Sequence, residues 1–186
     1  MRAILGLIDE ASGWLSLKGT DQWKRPWPDR WGRDARVSRG LKCGATWIVW
    51  AADRAVATVT MAASPNLEVW EGADCDVRAP AVYAHRLIVT RDFAGWGLGE
   101  QLIDWTGLRS HRDYGAQWIR IDVWSSNQAL HDYYTKRGFA SCGKCPDPKY
   151  PSGMLFQKNV LSIIEPASPL FEELEVSRSP FAAVAQ

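Results

Sequence analysis

The chain has 186 residues, 46% hydrophobic and 23% charged, which is ordinary globular usage and excludes a largely disordered polypeptide. A formal net charge of +1 removes any global electrostatic pull towards nucleic acid or an anionic membrane, so basic surface must be local. The length suits one domain with a proper core and is short for two.

The first ten residues hold an apolar run that Asp9 and Glu10 end, with no small-residue cleavage pattern behind it, so they do not read as a secretory signal. Apolar stretches such as 47–52 fall far below the ~20 residues of a membrane helix, and a soluble cytoplasmic protein is the expectation. Without a secretory signal, Cys43, Cys75, Cys142 and Cys145 read as reduced thiols. Cys142 and Cys145 form a lone C-x-x-C pair with no second pair or zinc-spaced histidines, so no metal site is expected.

Leu5, Ile8, Trp14, Leu15 and Leu17 predict a helix over residues 3–19. Trp23, Trp27, Pro26 and Pro28 then forbid a regular helix and suggest a rigid aromatic loop. Asp29 is placed to cap a second helix through about residue 40, with Arg30, Arg33, Arg36 and Arg39 on roughly one face; such a row usually faces solvent. The Thr-, Val-, Ile- and Trp-rich residues 45–51 and 55–63 predict a β-hairpin. Residues 64–79 read as an irregular connection with a short strand at Leu67–Trp70.

Residues 81–90 predict a long apolar strand, followed by a glycine-rich turn and an amphipathic helix from about 97 to 114. Gly95, Gly97 and Gly99 remove side chains where the backbone turns, so amide N–H groups and the positive helix end can face an anion. No Lys-Ser/Thr follows as a P-loop needs, and G-x-G-x-G is not the dinucleotide G-x-G-x-x-G, so a different phosphate-bearing ligand is indicated. Residues 118–124 alternate as a strand does. Asn127 or its neighbours cap a helix over 128–137 that Gly138 stops. Strands over 139–143 and 154–160 complete the pattern.

The strand, glycine turn, helix and next strand, together with Asn127, Tyr134, Gly138 and Phe139, resemble the GNAT family of acyl-CoA-dependent N-acetyltransferases. The family's pyrophosphate loop reads Arg/Gln-x-x-Gly-x-Gly/Ala; here the run is Ala94, Gly95, Trp96, Gly97, Leu98, Gly99, with Ala94 at the Arg/Gln position. In the family's second signature, Tyr follows Asn by seven residues and Gly-Phe follows four later, a spacing that Asn127, Tyr134, Gly138 and Phe139 match; Leu130 stands where Ala is usual.

The resemblance implies an α/β fold with a mixed, mostly antiparallel central sheet flanked by helices and containing a splayed strand pair. It spans a domain over 1–160, with a tail over 161–186 on the domain or a partner subunit. The family usually opens with a strand before helix one, so here that strand is either absent or the start is assigned short. The cofactor implied is acetyl-CoA. Its pantetheine would lie along Leu87, Ile88 and Val89, its pyrophosphate against backbone from Ala94 and Gly95 to Glu100, with Asn127 and Tyr134 alongside. The Val89 amide is the implied oxyanion donor and Tyr134 the implied acid on the departing sulfur, with Tyr133 as the neighbouring alternative. His85 is a candidate base; Glu71, Asp76 and Asp122 are others.

The function expected is acetyl transfer to a small-molecule or peptide amine, and residues 23–31 are a candidate lid for that acceptor. Two other classes stay open: an acyl-CoA-binding sensor without turnover, and a nucleic-acid module using the arginine row, which the near-neutral charge disfavours. The apolar tail 169–181 is a candidate homodimer surface.

Overall fold

A computed structural model of the chain describes residues 1–174. Its helices are α1 (Arg2–Leu17), α2 (Arg30–Lys42), α3 (Leu67–Trp70), α4 (Leu98–Tyr114) and α5 (Gln128–Lys136). Its strands are β1 (Thr46–Ala51), β2 (Arg54–Ala62), β3 (Ala81–Val89), β4 (Trp118–Val123), β5 (Ala140–Lys144) and β6 (Met154–Asn159). The six strands are ordered β1-β2-β3-β4-β6-β5, and every pairing with a recorded register is antiparallel except β3 with β4.

The described residues divide into two compact units, one of Met1–Met61, Arg86–Ile103 and residues 165–174, the other of Ala62–His85 and Asp104–Ile164. In the first, Ile4, Leu7 and Ile8 of α1 meet Val37 of α2 and Ile88 of β3, with Ile48 and Ala55 against them. A fully buried side chain of this size contributes about 1.5–3 kcal/mol. Asp29 caps α2 as expected, accepting from Gly32 N–H at 2.7 Å. At Gly40 a Cβ would come within 2.5 Å of Thr46 Oγ1, so α2 approaches β1 at backbone distance. The arginine row is less solvated than its spacing suggests: Arg33 pairs with Asp34 at 2.7 Å and Asp9 at 3.4 Å, and Arg36 donates to Trp27 O.

In the second unit, Val69, Trp70, Ala81, Tyr83, Cys142, Cys145 and Leu155 form one core cluster. The strand expected at Leu67–Trp70 is instead a single helical turn, with Asn66 Oδ1 accepting from Glu68 N–H at 3.3 Å and Val69 and Trp70 turned inward. Asn66 supplies the cap that makes a helical start cheaper than a strand for four residues. On the other side of β4, a Cβ on Gly107 of α4 would lie 2.5 Å from Ile119 Cδ1, so the helix lies close on the strand. The four cysteines are free thiols; Cys142 has its thiol pushed up to about 12 by burial and by neighbouring Cys75. The tail expected to mediate dimers lies partly outside the described residues; within them, Leu170 N–H donates to Gln101 Oε1 at 2.8 Å.

Candidate active site

In the first unit β3 leads into the glycine turn. Ile88 is buried and Leu87 and Val89 are partly so. Thr90 N–H donates to Val56 O at 2.9 Å, fixing the strand end on β2. Arg91 N–H donates to Glu10 Oε1 at 3.0 Å while its guanidinium lies 4.0 Å over the Trp14 ring, so α1 holds the entry to the turn. A 3₁₀ turn over Arg91–Phe93 follows, closed by Ala94 N–H to Arg91 O. The next turn bond is Gln101 N–H to Gly97 O, the first of α4. An α-helix leaves its leading amides without helical acceptors, and here those are the groups nearest the turn.

Gly95 and Gly97 have φ of +86° and +83°, a region that costs other residues roughly 1–2 kcal/mol. A Cβ at either position would meet nothing within 4 Å, so conformation and not packing demands glycine. Alternating positive-φ glycines ahead of a helix N-terminus aim successive amides into one concavity, which suits a diphosphate. Gly99 lies within the first turn of α4, between Leu98 and Glu100. Trp96, between the two positive-φ glycines, is 70% exposed and tilted on Phe93 at 6.2 Å.

In the second unit a polar cluster forms where β3 and β4 leave their shared ladder. Their parallel register is Ala81 with Trp118, Val82 with Ile119 and Tyr83 with Arg120; β4 then continues to Val123 paired to β6. Two residues past the last pair, His85 Nδ1 lies 3.0 Å from Asp122 Oδ1. Asp122 Oδ2 accepts from the Tyr150 hydroxyl at 2.7 Å. Burial pushes the Asp122 carboxyl upward, but the His85 charge and hydrogen bond, with Tyr150, outweigh it and hold the group below its ordinary value. Next along β3, Arg86 has φ +51°, an uncommon value for a side-chain-bearing residue in a strand, and it breaks the regular pleat there.

Tyr134 on α5 is buried, edge-on to Tyr133 and Phe139, each 5.2 Å away between ring centroids. Burial, then Tyr133, then Asp122 drive its hydroxyl well above the ordinary tyrosine range, with Arg137 opposing, so it stays protonated. Tyr133 instead carries the Arg137 guanidinium 3.9 Å over its ring. Asn127 accepts from Leu130 N–H at 3.1 Å and is the helix cap that sets where Tyr134 falls.

Within this unit His85 and Asp122 pair directly, and the Asp122 charge bears on the Tyr134 hydroxyl. Asp76 and Glu71 are exposed; the Asp76 carboxylate caps Arg78 N–H at 3.0 Å. Sequence reasoning missed Tyr150, which lies in a polar, proline-bearing connection without periodicity. It also missed Arg120, buried and bonded to Tyr83 Oη at 2.7 Å, Asp76 O at 2.6 Å and Val77 O at 3.3 Å. The alternation of residues 118–124 marked a strand but gave no sign that consecutive residues Ile119, Arg120 and Ile121 would all be buried.

Together these features define an α/β fold carrying a glycine-rich strand–turn–helix. A family model described as Acetyltransferase (GNAT) family matches residues 9–139, and the chain belongs to that family. It is 27% identical over 144 residues to the Bacillus subtilis protein described as uncharacterized N-acetyltransferase YesJ, covering 76% of this chain and 77% of that one. Two solved GNAT-family acetyltransferase structures share its fold. That from Streptococcus agalactiae has a TM-score of 0.61 at 22% identity, covering 84% of this chain and 87% of its own. That from Listeria monocytogenes has a TM-score of 0.60, with the same 22% identity and the same 84% and 87% coverage. Among the described residues, no helix is long and apolar enough to cross a membrane.

Proposed function

We propose that this acetyltransferase uses acetyl-CoA as donor and transfers the acetyl group directly to an amine. The observation that carries the reading is the pair of positive-φ glycines at the start of α4, Gly95 and Gly97, with open space on their Cβ side. A diphosphate placed there meets backbone donors and the helix dipole and no opposing side chain from either glycine. Acetyl-CoA supplies the activated thioester.

The chain's own groups supply the rest. Leu87 and Val89 are the backbone positions suited to pantetheine amides, and the Val89 N–H is the donor for the developing oxyanion. Tyr134, kept protonated by its surroundings, is the acid for the leaving sulfur. His85 is the candidate base.

Titration calorimetry with coenzyme A, followed by a thiol-release assay with acetyl-CoA against an amine panel, tests this. Saturable binding and thiol release dependent on one amine class are expected. Binding without turnover on any amine would mark an acyl-CoA-binding protein instead, and no binding would remove the donor assignment.

A further inference from the structure

At the pair formed by His85 and Asp122, with Tyr150 bonded to the same carboxylate, the imidazole is more open to solvent than the carboxylate. The Asp122 side chain is 9% exposed and that of His85 30%. Both carboxylate oxygens are committed, one to His85 Nδ1 at 3.0 Å and the other to Tyr150 Oη at 2.7 Å. An ionised carboxylate is acceptor-only, so Nδ1 carries the proton that lies between them, and in the neutral ring the lone pair is left on Nε2. Among the described residues, Nε2 has no hydrogen-bond partner. The carboxylate end of the pair is tied off and the imidazole end is left open.

Resting on the acetyl-transfer reading above, we propose that His85 Nε2 takes the proton from the acceptor amine. Asp122 and Tyr150 are positioning residues that fix the imidazole tautomer and ring orientation. An amine arriving as an ammonium gives one proton to Nε2, which passes it to solvent. The freed nitrogen lone pair forms the C–N bond, the C–S bond breaks with its electron pair on sulfur, and Tyr134 protonates that sulfur. The proton then lost from the new amide nitrogen returns Tyr134 to its protonated form, so the sum is acetylated amine, free thiol and the one proton passed to solvent.

The titratable groups facing this site are few. From β4 there is Asp122, from the segment before β6 Tyr150, and from α5 Tyr134, whose hydroxyl feels the Asp122 charge. Arg120 lies two residues before Asp122, but its guanidinium is spent on Asp76 O, Val77 O, Tyr83 Oη and Gln157 Oε1.

Two readouts on the full chain decide the matter. In ¹⁵N spectra of imidazole-labelled protein, with the His85 signals assigned by their loss in His85→Gln, the Nδ1–H tautomer is expected for the neutral ring. It should give way to a mixture in Asp122→Asn. In thiol release with acetyl-CoA and an amine that turns over, His85→Gln should lose roughly 100-fold in kcat and lose the acid limb of the pH–rate profile. Coenzyme A affinity by calorimetry should stay unchanged. Asp122→Asn should lower kcat in step with its loss of the Nδ1–H tautomer, and Tyr150→Phe should cost roughly fivefold, one hydrogen bond's worth.

An Nε2–H tautomer, or full turnover and an intact acid limb in His85→Gln, overturns the proposal while leaving the acetyltransferase reading standing. A wild-type chain that neither binds coenzyme A nor acetylates any amine overturns that reading first, and the base role with it.

Discussion

Two adjacent tyrosines on one short helix have been given different work by their surroundings. Consecutive helical side chains point about 100° apart, so only one of Tyr133 and Tyr134 can share the Asp122 neighbourhood. Tyr134 does, buried and protonated, while Tyr133 is covered by Arg137. Among the described residues the Tyr134 hydroxyl makes no hydrogen bond, so its ring alone holds its place, between Tyr133 and Phe139. Tyr134→Phe is therefore expected to lower kcat by roughly 100-fold while leaving thermal stability and coenzyme A affinity nearly unchanged. Steady-state kinetics, a melting curve and calorimetry on one preparation check this. A matching loss in Tyr133→Phe would move the acid to the neighbouring residue.

At the scale of elements, the strand–turn–helix is a conformational device before it is a chemical one. Because a Cβ on Gly97 would meet nothing within 4 Å, Gly97→Ala adds no clash and costs only its φ of +83°. The expected loss is about 1 kcal/mol of stability if the turn holds its shape, read by urea midpoint. If the turn relaxes instead, stability is kept and coenzyme A affinity falls, so one of the two must change. Gly40→Ala is of the other kind: its φ is unremarkable, but the new methyl meets Thr46 Oγ1 at 2.5 Å, and stability should drop by 1–3 kcal/mol, about what overpacking costs, without any change in coenzyme A affinity. The glycine turn, the Asp29 and Asn127 caps and the hairpin were legible because each is local chemistry with a sequence signature. Leu67–Trp70 was misread because four residues hold barely one period of either pattern, and Asn66 as a cap was the only signal that separated them. The His85–Asp122–Tyr150 cluster was legible only in part. Its members lie on two strands and a connection, and no local rule says which buried acid will meet which imidazole.

At the scale of the whole molecule, a net charge of +1 leaves little general self-repulsion near neutral pH, so acid stability depends on particular carboxylates. Among the described residues, Asp122 is the carboxylate whose environment fixes a sign: it is held below its ordinary value despite burial, through His85 and Tyr150. An unfolded Asp binds its proton near pH 3.9. Just above and through that pH the unfolded chain therefore binds more protons at this position than the folded one. The stabilisation from Asp122 is fully present above the unfolded value and is lost as pH falls towards the folded one. Asp122→Asn removes this component and leaves Tyr150 and His85 facing a neutral amide. The variant should accordingly be less stable than the parent at pH 7, with the gap narrowing steadily between about pH 5 and pH 3. Urea midpoints at half-unit steps across that range measure it. A gap that stays constant would mean that Asp122 titrates alike in the folded and unfolded chains, and its contacts with His85 and Tyr150 would then carry no net charge-dependent stability.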